Sequence, residues 1–181
     1  DELGMPRQYA MGARDRGRPI DARVLVRGGL DKAGDRVDRG FVSVLNVSTP
    51  PRIDSGDSGR RELAEWLTSP DNPLTARVMV NRLWQWHFGQ GLVATPSDFG
   101  SRGERPTHPE LLDWLATEYR AKGWSRKKLI RQILMSDTYR QSSKNMSPDL
   151  SNQLLWRQNS YRVPAETVRD IHLVASGLFE P

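Results

Sequence analysis

Three stretches of this chain place chemically capable side chains close enough to act together. The first runs from Asp98 to Asp113 and holds Asp98, Arg102, Glu104, His108, Glu110 and Asp113. Carboxylates beside a histidine can bind a metal ion or move protons on and off a substrate. The spacing matches no ligand motif, because there is no H-E-x-x-H and no second histidine nearby. A structural reading competes. Thr107-His108-Pro109-Glu110 has the form of a capping box, with Thr107 at the helix cap and Glu110 three residues on. Capping explains Glu110 without a ligand, leaves the others as solvated loop charges, and is the favoured reading.

The second set is Arg77, Asn81 and Arg82, which sit in an otherwise apolar stretch. Arg77 and Asn81 are four apart and share a helix face with Trp84 and Phe88. Buried Arg and Asn must be hydrogen-bonded, and a packing network or a polar pocket would both satisfy them. The network is favoured. The third set is basic. Arg120 and Lys122 precede Gly123, and Arg126, Lys127, Lys128 and Arg131 follow Ser125. A helix, a tight turn and a basic helix resemble a helix-turn-helix, whose second helix enters the major groove of DNA. The competing reading is an amphipathic helix with its basic side in water. Asp113, Glu118 and Asp137 dilute the field, so a polyanion patch is an alternative and nucleic acid is not expected as a partner.

Other signals are weaker. His87 and His172 stand among apolar neighbours and read as packed core histidines. There is no G-x-S-x-G, P-loop or G-x-G-x-x-G pattern, and Asn46-Val47-Ser48 is too short an acceptor pattern to weigh. No catalytic constellation, cofactor site or metal site is recognisable, so whether the chain is an enzyme is left open.

The elements that must hold these residues are mainly helical. Residues 1–21 carry four arginines, three glycines and no periodicity, and read as a flexible arm. Arg23-Val24-Leu25-Val26-Arg27 and Phe41-Val42-Ser43-Val44-Leu45 favour short strands that could pair across a long loop. Pro50-Pro51 and Asp54 to Gly59 read as a linker, so residues 22–59 form a strand pair and linker. Residues 60–181 are expected to form a compact multi-helix domain. A helix from Arg60 stops near Ser69-Pro70. Asn72 as cap and Pro73 as first helical residue open another through Phe88. That helix is apolar nearly all round and is expected to be buried, with Gly89 and Gly91 ending it. The capping box opens a helix with an inner stripe of Leu111, Leu112, Leu115 and Tyr119. Ser125 caps a helix with Leu129, Ile130, Ile133 and Leu134 inside. Tyr139 to Ser151 reads as a loop. Pro164 starts a last helix with Val168, Ile171, His172 and Ala175 along one face and Gly177 near its end.

Composition agrees. Hydrophobic residues are only 36%, but all six tryptophans lie between Trp66 and Trp156, so the core belongs to the later two thirds. No apolar run approaches the roughly 18 residues that span a bilayer, and no signal-peptide pattern is present. Without cysteine the chain can hold no disulfide and no C-x-x-C-H haem attachment. The net charge of +5 is weak evidence for polyanion binding. The sequence begins at Asp1 without an initiator Met and stops after an apolar stretch, which reads as a piece of a larger protein.

Longer motifs carry a family likeness. Arg61-Glu62-Leu63-Ala64-Glu65-Trp66-Leu67, Asp71-Asn72-Pro73-Leu74-Thr75-Ala76-Arg77-Val78 and Asn81-Arg82-Leu83-Trp84 lead into Phe88-Gly89-Gln90-Gly91-Leu92-Val93 and Asp98-Phe99-Gly100. Pro106 through Ala116, Gly123-Trp124-Ser125, Ser136 through Ser143, Leu154-Leu155-Trp156-Arg157, Ala165-Glu166, Arg169-Asp170 and Ser176-Gly177-Leu178 continue it. Together they resemble a domain of unknown function abundant in planctomycete bacteria. Trp86 departs from it where a His is expected before His87, and Pro164 where an acidic or polar residue is usual. The resemblance implies a C-terminal module in large exported proteins that often carry a cytochrome c-like haem domain elsewhere. It implies no catalytic residues. The expected function is a non-catalytic packing or interaction module whose partners are neighbouring domains of the same polypeptide. The alternatives are part of a polysaccharide-acting enzyme using Asp98, Glu104, His108 and Asp113, or the polyanion-binding module.

Overall fold

The computed structural model describes residues 12–13, 17, 19–45, 47–144, 149–160 and 162–180. Most of the arm expected over 1–21, Asn46 of the acceptor pattern and part of the loop after Tyr139 lie outside these residues. The described chain is mainly helical, with one short two-stranded sheet. It divides into two compact units, residues 1–73 and 74–181.

In the first unit, β1 (Arg23–Leu25) pairs antiparallel with β2 (Ala33–Arg36), Arg23 opposite Arg36 and Leu25 opposite Ala33. A short 3₁₀ turn over Val26–Gly28 closes the hairpin, with Arg27 and Gly28 both at positive φ. The Asp21 carboxylate ties the hairpin from outside, 2.7 Å from Arg36 and 2.8 Å from Arg39. The strand expected over Phe41–Leu45 is not one, and its end is a 3₁₀ turn over Ser43–Leu45. Ala33–Arg36 lies nearer β1 along the chain, and closing a shorter loop costs less entropy. Phe41 is used in packing: its ring stacks on Trp66 at 5.4 Å and 15°. Trp66 belongs to α1 (Arg60–Thr68), which therefore groups with the strands.

The second unit holds α2 (Thr75–Phe88), α3 (Pro109–Ala121), α4 (Arg126–Leu134) and α5 (Ala165–Ser176). Val80, Leu83, Trp84 and Phe88 of α2 meet Leu112, Leu115 and Tyr119 of α3 and Leu129 and Ile133 of α4 in one core. The stripes expected on α3 and α4 are the buried faces. Ser125 caps α4, its hydroxyl accepting from the Lys128 N–H at 3.4 Å. Between α3 and α4 both Gly123 and Trp124 take positive φ, and the Trp124 N–H reaches the Tyr119 carbonyl at 3.0 Å. A left-handed tryptophan costs on the order of 1 kcal/mol. The edge-to-face contact of its ring with Tyr119, 5.3 Å between centroids, helps offset that cost.

Four expectations about helices need correction. First, α2 is not buried all round, because Trp84 and Phe88, one turn apart, stack inward at 4.1 Å. Trp86, two residues on from Trp84, is turned about 200° away from it and stands exposed. Second, α2 begins at Thr75, so Leu74 occupies the cap position and Pro73 precedes the helix. Asn72 is buried and its side chain donates to the Trp66 carbonyl at 3.4 Å, closing the end of α1. Third, His108 occupies the α3 cap position and no side chain caps it. Thr107 instead sends its N–H and hydroxyl to the Leu92 carbonyl, at 2.9 and 3.3 Å. Pro109 is then the first helical residue, where its missing N–H costs nothing. Glu110 still favours the helix dipole from the first turn. Fourth, α5 buries none of its residues, so His172 is an exposed histidine rather than a core one.

Candidate functional site

The polar candidates on α2 resolve into structural roles. Asn81 is fully buried and grips Val93 with both ends of its amide. The side-chain N–H donates to the Val93 carbonyl at 3.0 Å, and the side-chain oxygen accepts from the Val93 N–H at 2.8 Å. A loop bend thus has its backbone groups satisfied inside the core. Reaching Val93 requires a sharp reversal after α2. Gly89 supplies it at φ 80°, its N–H bonded to the Gln85 carbonyl at 2.8 Å.

The C-terminal end of α2 leaves carbonyls that the helix itself cannot satisfy. The Asn159 side chain donates to the Phe88 carbonyl at 2.9 Å and the Gln158 side chain to the His87 carbonyl at 3.2 Å. Asn152 holds that segment in shape. Buried and at positive φ, it donates to the Arg157 carbonyl and the Asn159 side-chain oxygen at 2.8 Å each and accepts from the Arg157 N–H at 3.2 Å. Asp149 anchors the start of the turn by accepting from the Leu154 N–H at 2.8 Å. That hydrogen bond holds its carboxyl below the usual carboxylate range. A narrow cleft remains here, lined by Trp84, Gly91, Leu92, Thr107, Asn152 and Asn159.

Arg77 and Asp113, drawn from two different candidate sets, are brought together across α2 and α3 at 2.5 Å. Arg82 is exposed on α2. Asp98 is used within its own loop, where its carboxylate accepts from the Gly100 N–H at 3.0 Å. Thr95 organises the same loop, donating to the Asp98 carbonyl at 2.9 Å and accepting from the Glu104 N–H at 3.0 Å. Glu104 itself is exposed, and the His108 ring lies 3.0 Å from the Thr107 hydroxyl. Among the described residues no group of three or more His, Asp and Glu is placed to hold a metal ion. His87 packs as expected, half-buried and edge-on to Tyr139, with Nδ1 donating to the Leu83 carbonyl at 2.6 Å.

On α4 the four cations Arg126, Lys127, Lys128 and Arg131 are all exposed. Lys122 is set apart from them, held 2.7 Å from Glu118 and 2.5 Å from the Gln132 side-chain oxygen. Residues missed by sequence reading are Thr95, Asn152, Gln158 and Asn159, all polar and all in loops. Thr95 beside Pro96 carried a turn signal, and the other three carried none.

Among the described residues no helix is long and apolar enough to cross a membrane. No curated protein and no solved structure matches the chain. The model of one family matches residues 59–181, well over half the sequence, so the chain belongs to PSD1, a family of proteins of unknown function (DUF1553).

Proposed function

We propose that this chain is a non-catalytic packing module that docks onto an apolar surface of a neighbouring domain through α5. One observation carries the reading. Val168, Ile171 and Val174 are 42, 56 and 62% exposed on a helix that buries nothing, and Leu178 and Phe179 just beyond it are exposed as well. Burying one such side chain contributes about 1.5–3 kcal/mol, so leaving several in water is a cost that docking would remove. Contiguous exposed apolar patches of this kind mark interaction sites. The polar candidates add support, since Asn81, Arg77, Asp113 and Asp98 are engaged in holding loops and helices together. The wider setting, large exported proteins with a cytochrome c-like haem domain elsewhere, rests on the sequence resemblance to planctomycete proteins.

Hydrogen exchange tests the docking. Amides of α5 should exchange fast in the isolated chain and slow when the adjoining domain of the same polypeptide is added. Unchanged exchange along α5, with the adjoining domain shown to be folded, would sink the reading.

A further inference from the structure

We propose that the exposed side of α4 binds the phosphate backbone of duplex nucleic acid through Arg126, Lys127, Lys128 and Arg131, without reading base sequence. In the sequence the field of these cations looked diluted by Asp113, Glu118 and Asp137. The structure pairs each of those carboxylates with a cation elsewhere. Asp113 lies 2.5 Å from Arg77, Glu118 2.7 Å from Lys122 and Asp137 2.6 Å from Arg140. Among the described residues none of the four α4 cations enters an ion pair, so their field is left open to solvent. Their position also opposes helix electrostatics. Three of them fill the first turn of α4, which has no acidic residue, and cations there are disfavoured by the helix dipole. An external polyanion relieves that repulsion.

The surrounding geometry favours a duplex over other anionic partners. Four residues, with left-handed Gly123 and Trp124 among them, join α3 to α4 in the order helix, tight turn, basic helix. An α-helix with its side chains is about 10–12 Å across, which fits the roughly 12 Å width of the major groove. The amide contact that reads adenine is not on offer from this face. Gln132, the one amide on α4, is occupied by Lys122, and no Asn is present on the helix. Contact of these four cations with phosphates carries no sequence information. This inference rests on residues separate from those of α5 and does not depend on the docking reading.

Fluorescence anisotropy of two duplexes of unrelated sequence, titrated with the full chain across a salt series, tests it. Contact with three to four phosphates predicts a slope of log K against log salt of roughly −3, or about a 40- to 150-fold loss from 50 to 200 mM salt. The two duplexes should bind alike. The K127E/K128E variant should abolish binding while its thermal transition stays put or rises, because Glu in the first turn favours the dipole. The R105E/K144E variant makes the same change in net charge at exposed positions elsewhere and should leave most of the binding intact. If K127E/K128E fails to fold, K127A/K128A gives the same reading with about a tenfold or greater loss expected. No binding at low salt overturns the proposal. So does equal weakening by the two charge-matched variants, or equal affinity for a sulfated polysaccharide or for phosphatidylserine vesicles.

Discussion

The amide of Asn81 occupies the space that a side chain on Gly91 would need. A β-carbon built on Gly91 would lie 2.7 Å from the Asn81 side-chain nitrogen, 2.8 Å from its oxygen and 2.6 Å from the Val93 carbonyl. The chain can run this close to the buried amide only because residue 91 has no side chain. The grip on Val93, the turn at Gly89 and the glycine at 91 form one device that folds the loop back onto α2.

Asn81→Ala should therefore destabilise the second unit strongly. It strands the Val93 N–H and carbonyl in the core, at about 1–3 kcal/mol per unsatisfied group. Gly91→Ala should destabilise by a comparable amount through the clash, although it removes no hydrogen bond. Urea denaturation followed by tryptophan fluorescence checks both. A shift under 0.5 kcal/mol for Asn81→Ala, the size of an ordinary surface change, would contradict the account of the grip.

Arg77 and Asp113 present the opposite case. Their side chains are 41 and 50% exposed, so their short contact is screened by solvent. A double-mutant cycle with alanine at both positions should give a coupling of about 0.2–1 kcal/mol. A larger coupling would indicate a role beyond fastening α2 to α3.

The segment from Asp149 to Asn159 should be sensitive to acid. Asp149 is held below its ordinary value by the Leu154 N–H, so folding favours its ionised form. A group with a depressed folded pKa contributes stability above its unfolded pKa and loses it as pH falls through the folded value. Hydrogen exchange of the Leu154 amide should accelerate as pH drops below the usual carboxylate range near 3.8, beyond the intrinsic rate change. Asp149→Asn should remove that extra acceleration. An identical pH profile in the variant would place the anchor elsewhere.

Much of this architecture could be read from sequence, and the failures have physical causes. Periodicity picked out the buried faces of α3 and α4, because Leu112, Leu115, Tyr119, Leu129 and Ile133 recur with the helix period. Ser125 and Gly177 marked helix ends by their local chemistry. Thr107 and Glu110 satisfied the capping-box pattern, yet the Leu92 carbonyl, fifteen residues away from Thr107, claimed the Thr107 donors. Phe41 had the neighbours of a strand residue, but ring stacking on Trp66 decided its place. Asn81 was read as buried and polar, while nothing in the sequence pointed to Val93 as its partner. The missed residues Gln158 and Asn159 act on carbonyls at the end of a helix about seventy residues earlier, and Asn152 shapes the turn that carries them. Long-range polar pairing of this kind leaves no periodic trace.

Docking through α5 is tested most directly by sedimentation velocity of the chain and its V168E/I171E variant, from micromolar to millimolar concentration. The account predicts that the chain self-associates as concentration rises, because the apolar side chains of α5 stand exposed. The variant should stay monomeric with unfolding stability within about 0.5 kcal/mol of the parent, as expected for exposed positions. A parent chain that remains monomeric throughout, or a variant that associates equally, would contradict a docking role for α5.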